Sequence, residues 1–194
     1  MRTLSLNGLQ PVVRTLVANG LADGLPRTLP LGEPLAQARE SLLKLSAATL
    51  GESPPASHQD AQGLLAGLWL LFDFMPESHA ISQELHTAEG SYWHAILHRR
   101  EPDASNARYW FGRVGNHALF AELNRDAREI AELHPQADLK GLADQKAWDP
   151  DEFVARCTHP AQGATLEALL ALQQREWALL FDYNLSRAFP SANR

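Results

Sequence analysis

Leucine and alanine recur along this chain at the three- and four-residue spacing of amphipathic helices. No segment alternates apolar and polar residues over a strand's length with β-branched enrichment. The lone valine pair, Val12-Val13, follows Pro11. The pattern predicts an all-α protein: a single-domain helical bundle of about seven to nine helices over residues 1–194, with 1–33 as a partly irregular N-terminal segment.

Punctuation places the elements. A short helix over 11–18 starts on Pro11 and stops near Gly20, and the run GLPRTLPLGEP then reads as extended surface chain. A helix over 34–50 carries Leu35, Ala38, Leu42 and Leu45 on one stripe and ends at Gly51. The next, over 59–74, contains LLAGLWLLF, apolar all round as befits a central buried helix. Gly63 and Gly67 share one of its faces, so a backbone, a tightly packed helix or a ligand comes close there. Pro76 interrupts, and Ser78 caps a short helix to about Leu85. Thr87 caps a helix over 88–100, which Pro102 obliges to end by Glu101. Asp103 caps 104–114, closed by Gly115, and Asn116 caps a helix to about Leu133. Pro150 opens a short helix to Arg156, and a long one covers 166–188. On that last helix Gln173 and Asn184 fall within the apolar stripe, and buried amides need partners.

Composition narrows the classes. Apolar residues are 45% of the chain, which excludes wholesale disorder. A formal charge of −6 argues against nucleic-acid binding, which rests on Lys and Arg displacing counterions. The longest apolar run, 64–72, is far too short to cross a bilayer, and no signal segment is visible, so no membrane and a cytoplasmic location are expected. Cys157 is alone: no intrachain disulfide and no cysteine-based metal motif can form. Arg156 and His159 beside it are the kind of neighbours that lower a thiol pKa, although no nucleophile motif surrounds it.

The chemistry concentrates in residues 86–120, which hold four of eight histidines, two of five tryptophans and two of three tyrosines. His94 and His98, four apart on a helix, project from one face with a rise of about 6 Å, the spacing by which two imidazoles share a divalent metal ion. A third ligand is then needed, and Glu89, His86, His117 and Glu176 are the candidates. On the helical wheel the pair lies opposite Tyr92, Trp93, Ile96 and Leu97, so it faces either solvent or a second buried side. Arg99, Arg100, Arg108 and Arg113 against Glu101 and Asp103 form a second constellation. Arg100, Asn106, Tyr109, Trp110 and Arg113 combine guanidinium forks with an amide and aromatic walls, which suits an anionic small molecule. The same arginines can equally form a structural network with Glu101, Asp103 and helix-end carbonyls. His117, after Gly115 at a predicted helix start, can bind an anion or act as general acid or base, or simply help cap.

Phosphate-binding loops, dinucleotide fingerprints, nucleophile elbows and EF-hand loops are absent, and Glu84 and Glu132 sit two residues before histidine instead of the three used by di-iron bundles. The segment YWHAILHRREPDASNARYWFGRVGNH, residues 92–117, resembles the signature segment of a bacterial family of uncharacterised helical proteins. That resemblance carries no activity and implies only that this segment matters. Two functions are therefore expected. One is a small-molecule site, with His94, His98 and His117 as acid/base groups or His94 and His98 as metal ligands. The other is a non-enzymatic interaction or structural module that uses the Arg, Trp and Tyr surface to form a homodimer or bind a partner. The first requires the imidazole, guanidinium and indole groups to turn toward one shared hollow.

Overall fold

Ten α-helices and one 3-10 turn make up the regular structure among the described residues of this computed structural model, which are 4–26, 29–30, 32–159 and 161–190. The count slightly exceeds the expected range. Three residues of the run expected to be extended, 27, 28 and 31, lie outside the described residues. The helices are α1 (Pro11–Ala22), α2 (Ala36–Leu43), α3 (His58–Leu71), α4 (Met75–Ser82), α5 (Ala88–Arg100), α6 (Ala104–Val114), α7 (Phe120–Leu133), α8 (Lys140–Ala143), α9 (Pro150–Thr158) and α10 (Gly163–Ala188). Strand pairing among the described residues is limited to one bridge, Leu9 to Gly51, which ties the N-terminal segment to the core. No helix among them is long and apolar enough to cross a membrane.

Capping side chains start several helices. Ser57 accepts from the Asp60 amide, Thr87 from that of Gly90, and Asp103 from that of Asn106, each satisfying a first-turn donor. Elsewhere local hydrogen bonding moved the expected boundaries. The helix expected over 34–50 breaks after Leu43 because Ser46 and Thr49 close a capping box around the separate 3-10 turn, Ala47–Thr49. α1 continues through Gly20, whose bare Cα leaves room for Leu71 and Phe72; that glycine permits close packing and does not end the helix. Pro76 lies in the first turn of α4 and begins it, with Ser78 buried inside it. α7 starts at Phe120, because residues 117–119 form a turn in which Leu119 N–H donates to His117 Nδ1. The short α8 has no counterpart among the expected elements.

The core centres on α3, α5 and α10. Buried apolar side chains from nearly every element join one continuous cluster. At its middle Trp93 of α5 meets Trp177 of α10 at 6.2 Å, and Trp177 stacks on Phe181 at 4.7 Å. The polar edges of these rings are satisfied inside the core: Trp177 Nε1 donates to the Gly67 carbonyl and Trp93 Nε1 to Asn184 Oδ1. Asn184 in turn donates to Asp60. The two glycines of α3 are thus explained by side chains from α5 and α10, not by a backbone or ligand: a Cβ on Gly63 would lie 2.9 Å from Asn184, and one on Gly67 would lie 2.7 Å from the Trp93 ring.

Because Trp93 is held by its hydrogen bond, it cannot retreat, and Gly67→Ala is expected to lower stability by about 1–3 kcal/mol. Gly112, whose Cβ would meet nothing within 4 Å, gives the contrasting control. Gly112→Ala should be neutral or raise stability by up to about 1 kcal/mol. Urea unfolding midpoints of the two variants measure the difference directly.

Candidate metal centre

α5 is a helix with no solvent face. Every residue from Gly90 to Arg100 is buried. The alternative left open by the wheel is therefore decided: His94 and His98 line a second buried side, at 2% and 5% exposure, beneath α4 and α6. A third imidazole reaches them from α4. His79 lies with its ring centroid 4.6 Å from that of His94 and 5.7 Å from that of His98, and His94 and His98 are 4.7 Å apart. One nitrogen from each ring can be chosen so that all three lie within 4.8 Å of one another. A tetrahedral zinc ion with bonds near 2.0–2.1 Å sets its ligand nitrogens about 3.4 Å apart, so modest side-chain rotation closes the triad.

The surrounding contacts decide which nitrogens face inward. Ser82 Oγ lies 2.9 Å from His94 Nδ1, and Glu101 Oε2 lies 2.8 Å from His98 Nδ1. An ionised carboxylate only accepts, so His98 Nδ1 carries a proton and Nε2 is the nitrogen left for a metal. The Asn106 amide nitrogen, brought in by α6, lies 3.2 Å from that Nε2. Burial, followed by the like charges of His98 and His79, lowers the His94 pKa to about 3, so this ring stays neutral near physiological pH. Trp110 packs on His94 at 4.1 Å between ring centroids, and the Arg113 guanidinium lies over Trp110 at 5.3 Å. Arg113 is exposed and pairs with no carboxylate among the described residues.

The remaining expected site residues fall elsewhere, so no single hollow gathers them all. Arg100 is 1% exposed and faces the end of α3, donating to Asp73 Oδ1 at 2.5 Å and to the Leu70 carbonyl at 3.0 Å. Its neighbour Arg99 turns toward α10, where Glu176 accepts from it at 2.5 Å and from the Tyr92 hydroxyl at 3.2 Å. Arg99 also lies over the Phe153 ring at 4.2 Å. The arginine network is real, but its acids are Asp73 and Glu176 instead of Glu101 and Asp103. Tyr109 touches the edge of Trp110 yet is 58% exposed.

His117 belongs to a different environment, packed against Tyr92, Tyr183 and Phe120. Its Nε2 lies 3.8 Å from Glu89, whose pKa is lowered by that histidine. Of the third ligands expected from sequence, Glu89 and His117 face each other, Glu176 is taken by Arg99, and His86 is exposed. Cys157 is buried, and burial pushes its thiol up to about 12, outweighing the nearby Arg99; Arg156 and His159, adjacent in sequence, do not lower it. Arg156 instead pairs with Glu152 and Asp138.

His79 is the residue that sequence reasoning missed. It lies 15 positions before His94, outside any helical repeat, and its helix was expected to start only at Ser78. The available signal was Pro76 as a helix opener, which makes His79 and Ser82 neighbours at i and i+3.

No protein family, curated protein or solved structure matches this chain.

Two outcomes follow from these environments. Glu176→Ala strands Arg99 as an unpaired buried charge and should cost about 3–5 kcal/mol in chemical unfolding, whereas Arg99→Met combined with Glu176→Leu should recover most of that loss. For His94, the unfolded chain takes up a proton near pH 6.5 and the folded protein only near 3, so between these values the unfolded state binds more protons. Stability of the metal-free protein should accordingly fall as pH drops through that window. Its thermal midpoint at pH 5 should lie below that at pH 8, and His94→Gln should reduce the difference; an unaltered slope would assign the acid sensitivity to other groups.

Proposed function

We propose that this protein holds one divalent metal ion through His79, His94 and His98 and uses the remaining coordination position to bind a small anionic molecule. The observation that carries the reading is the convergence of three imidazoles from two helices, His94 and His98 buried and His79 half-buried, with one nitrogen of each ring within 4.8 Å of the others. Three neutral nitrogen ligands with an open fourth position is the pattern of catalytic, as opposed to structural, zinc sites, and imidazole also suits Ni, Cu and Fe. When bound, such an ion polarises a ligand oxygen or makes a coordinated water acidic near neutral pH.

The chain's own residues supply the rest. Neutral ligands leave the metal's positive charge uncancelled, and Arg113 holds a further positive group over Trp110, the ring that packs on His94. Asn106 offers an amide at the edge of His98, and Trp110 supplies an apolar wall against His94. An anion that reaches the metal with one oxygen and Arg113 with another fits this arrangement. His117 and Arg100 have no part in that step, because Glu89 and Asp73 face them elsewhere. The continuous core supports reading the chain as one helical domain, and the lone thiol is consistent with a cytoplasmic protein. The resemblance of residues 92–117 to uncharacterised bacterial proteins fits the same reading, since that segment contains two of the three ligands.

A second reading is favoured by the exposure of Tyr109 beside Arg113: self-association through this aromatic and cationic surface.

Elemental analysis of untagged protein separates the two. The expected result is close to one Zn, Ni, Fe or Mn per chain, lost in His94→Ala/His98→Ala and strongly reduced in His79→Ala. Protein that stays metal-free after growth and purification with added metal, and that dimerises through Tyr109 and Arg113 in sedimentation, would replace the metal reading with the interface.

A further inference from the structure

The turn that follows α5 grips His98 from both sides of its ring. Glu101, the residue at the C-terminal cap of α5, places Oε2 2.8 Å from Nδ1. Two residues on, the Asp103 amide donates to the His98 carbonyl, and the Asp103 side chain caps α6. That cap sets the first turn of α6, which lays the Asn106 amide nitrogen against the ring, 3.2 Å from Nε2 and 3.5 Å from Nδ1 and so off the Nε2 lone-pair axis. His94 has no such partner: its Nδ1 meets the neutral hydroxyl of Ser82, which reaches on to the His79 carbonyl at 3.5 Å. Among the described residues, Glu101 is therefore the charged group bonded to a ring of the triad.

We infer that Glu101 is a positioning residue of the metal centre: it holds His98 with the proton on Nδ1, aims Nε2 at the ion and strengthens that nitrogen as a donor. The inference rests on the three-histidine reading above. A carboxylate behind a metal-bound imidazole fixes the ring's tautomer and orientation, and losing such a partner costs 10- to 100-fold in metal affinity. Glu101 lies at the surface end of the pair, with its side chain 37% exposed, so its removal opens no cavity, although it takes the acceptor from the buried His98 Nδ1–H.

The test compares wild type, Glu101→Ala and Glu101→Gln by titration with Zn²⁺ and with Co²⁺, beside unfolding of the metal-free proteins. Glutamine keeps an oxygen that accepts from Nδ1–H but removes the charge. Glu101→Ala should bind about 10- to 100-fold more weakly at unchanged one-to-one stoichiometry, Glu101→Gln should fall between, and both metal-free variants should still unfold in one cooperative transition. Nitrogen-15 spectra of the metal-free wild type should show His98 as the Nδ1–H tautomer, and as a mixture in Glu101→Ala. A Glu101→Ala affinity within twofold of wild type, or a wild-type His98 protonated on Nε2, overturns the positioning role while leaving the metal site standing. Failure of the wild type itself to bind either ion overturns the metal reading, and this inference with it.

Discussion

Helix α5 is buried on every side and yet carries two histidines and two arginines in its last two turns. Removing a charge from water costs several kcal/mol unless a partner of good geometry replaces the lost solvation. That requirement governs the arrangement of the surrounding elements. Glu176 from the middle of α10 meets Arg99, Asp73 at the end of α3 meets Arg100, and Ser82 at the end of α4 meets His94. Because successive side chains on a helix diverge by about 100°, these partners approach α5 from different directions. Turning α5 by one residue would strand two guanidinium groups and an imidazole at once. The two ion pairs therefore fix the rotation of α5, and the direction in which His94 and His98 point follows from it.

The same rotation explains how polar and apolar cores coexist in so small a volume. Trp93, on another face of α5, fills the space that Gly67 leaves on α3, and its N–H ends on Asn184 of α10. Asp73 adopts a positive φ of 64°, a conformation that aspartate tolerates better than most residues. This lets the chain leave α3 and still present a carboxylate to Arg100 before α4 begins. α4 then starts on Pro76 and carries His79 to the triad. The three imidazoles thus stand on helices whose positions are secured by contacts outside the cluster, which is the condition a metal-binding geometry would require.

Much of the local architecture was legible in the chain. Thr87 and Asp103 announce α5 and α6, Pro102 separates them, and the four-residue spacing of His94 and His98 marks the face on which chemistry could assemble. The concentration of His, Arg and aromatic residues in 86–120 pointed to a segment that supplies two of the three clustered imidazoles, but it gathered groups that belong to three environments. Arg99 and Arg100 find acids 77 and 27 positions away, and nothing in their own neighbourhood names those partners. His117 was grouped with the other histidines by proximity in sequence, but the turn at 117–119 directs it toward Glu89 and Tyr183.

What the sequence determined by itself is the all-helical class, nine of the ten helices among the described residues and both ends of α5 and α6, because hydrogen bonds four residues apart, side-chain caps and proline are local interactions. Those same local rules left open whether the His94 and His98 face meets water or protein. Only the tertiary structure decided that, by laying α4 and α6 over the face. It also chose His79 as the third imidazole and assigned Arg99 and Arg100 to structural pairs. These choices depend on the distances and rotations between separate helices, which arise when the whole core packs and each buried charge must find its partner at the same time.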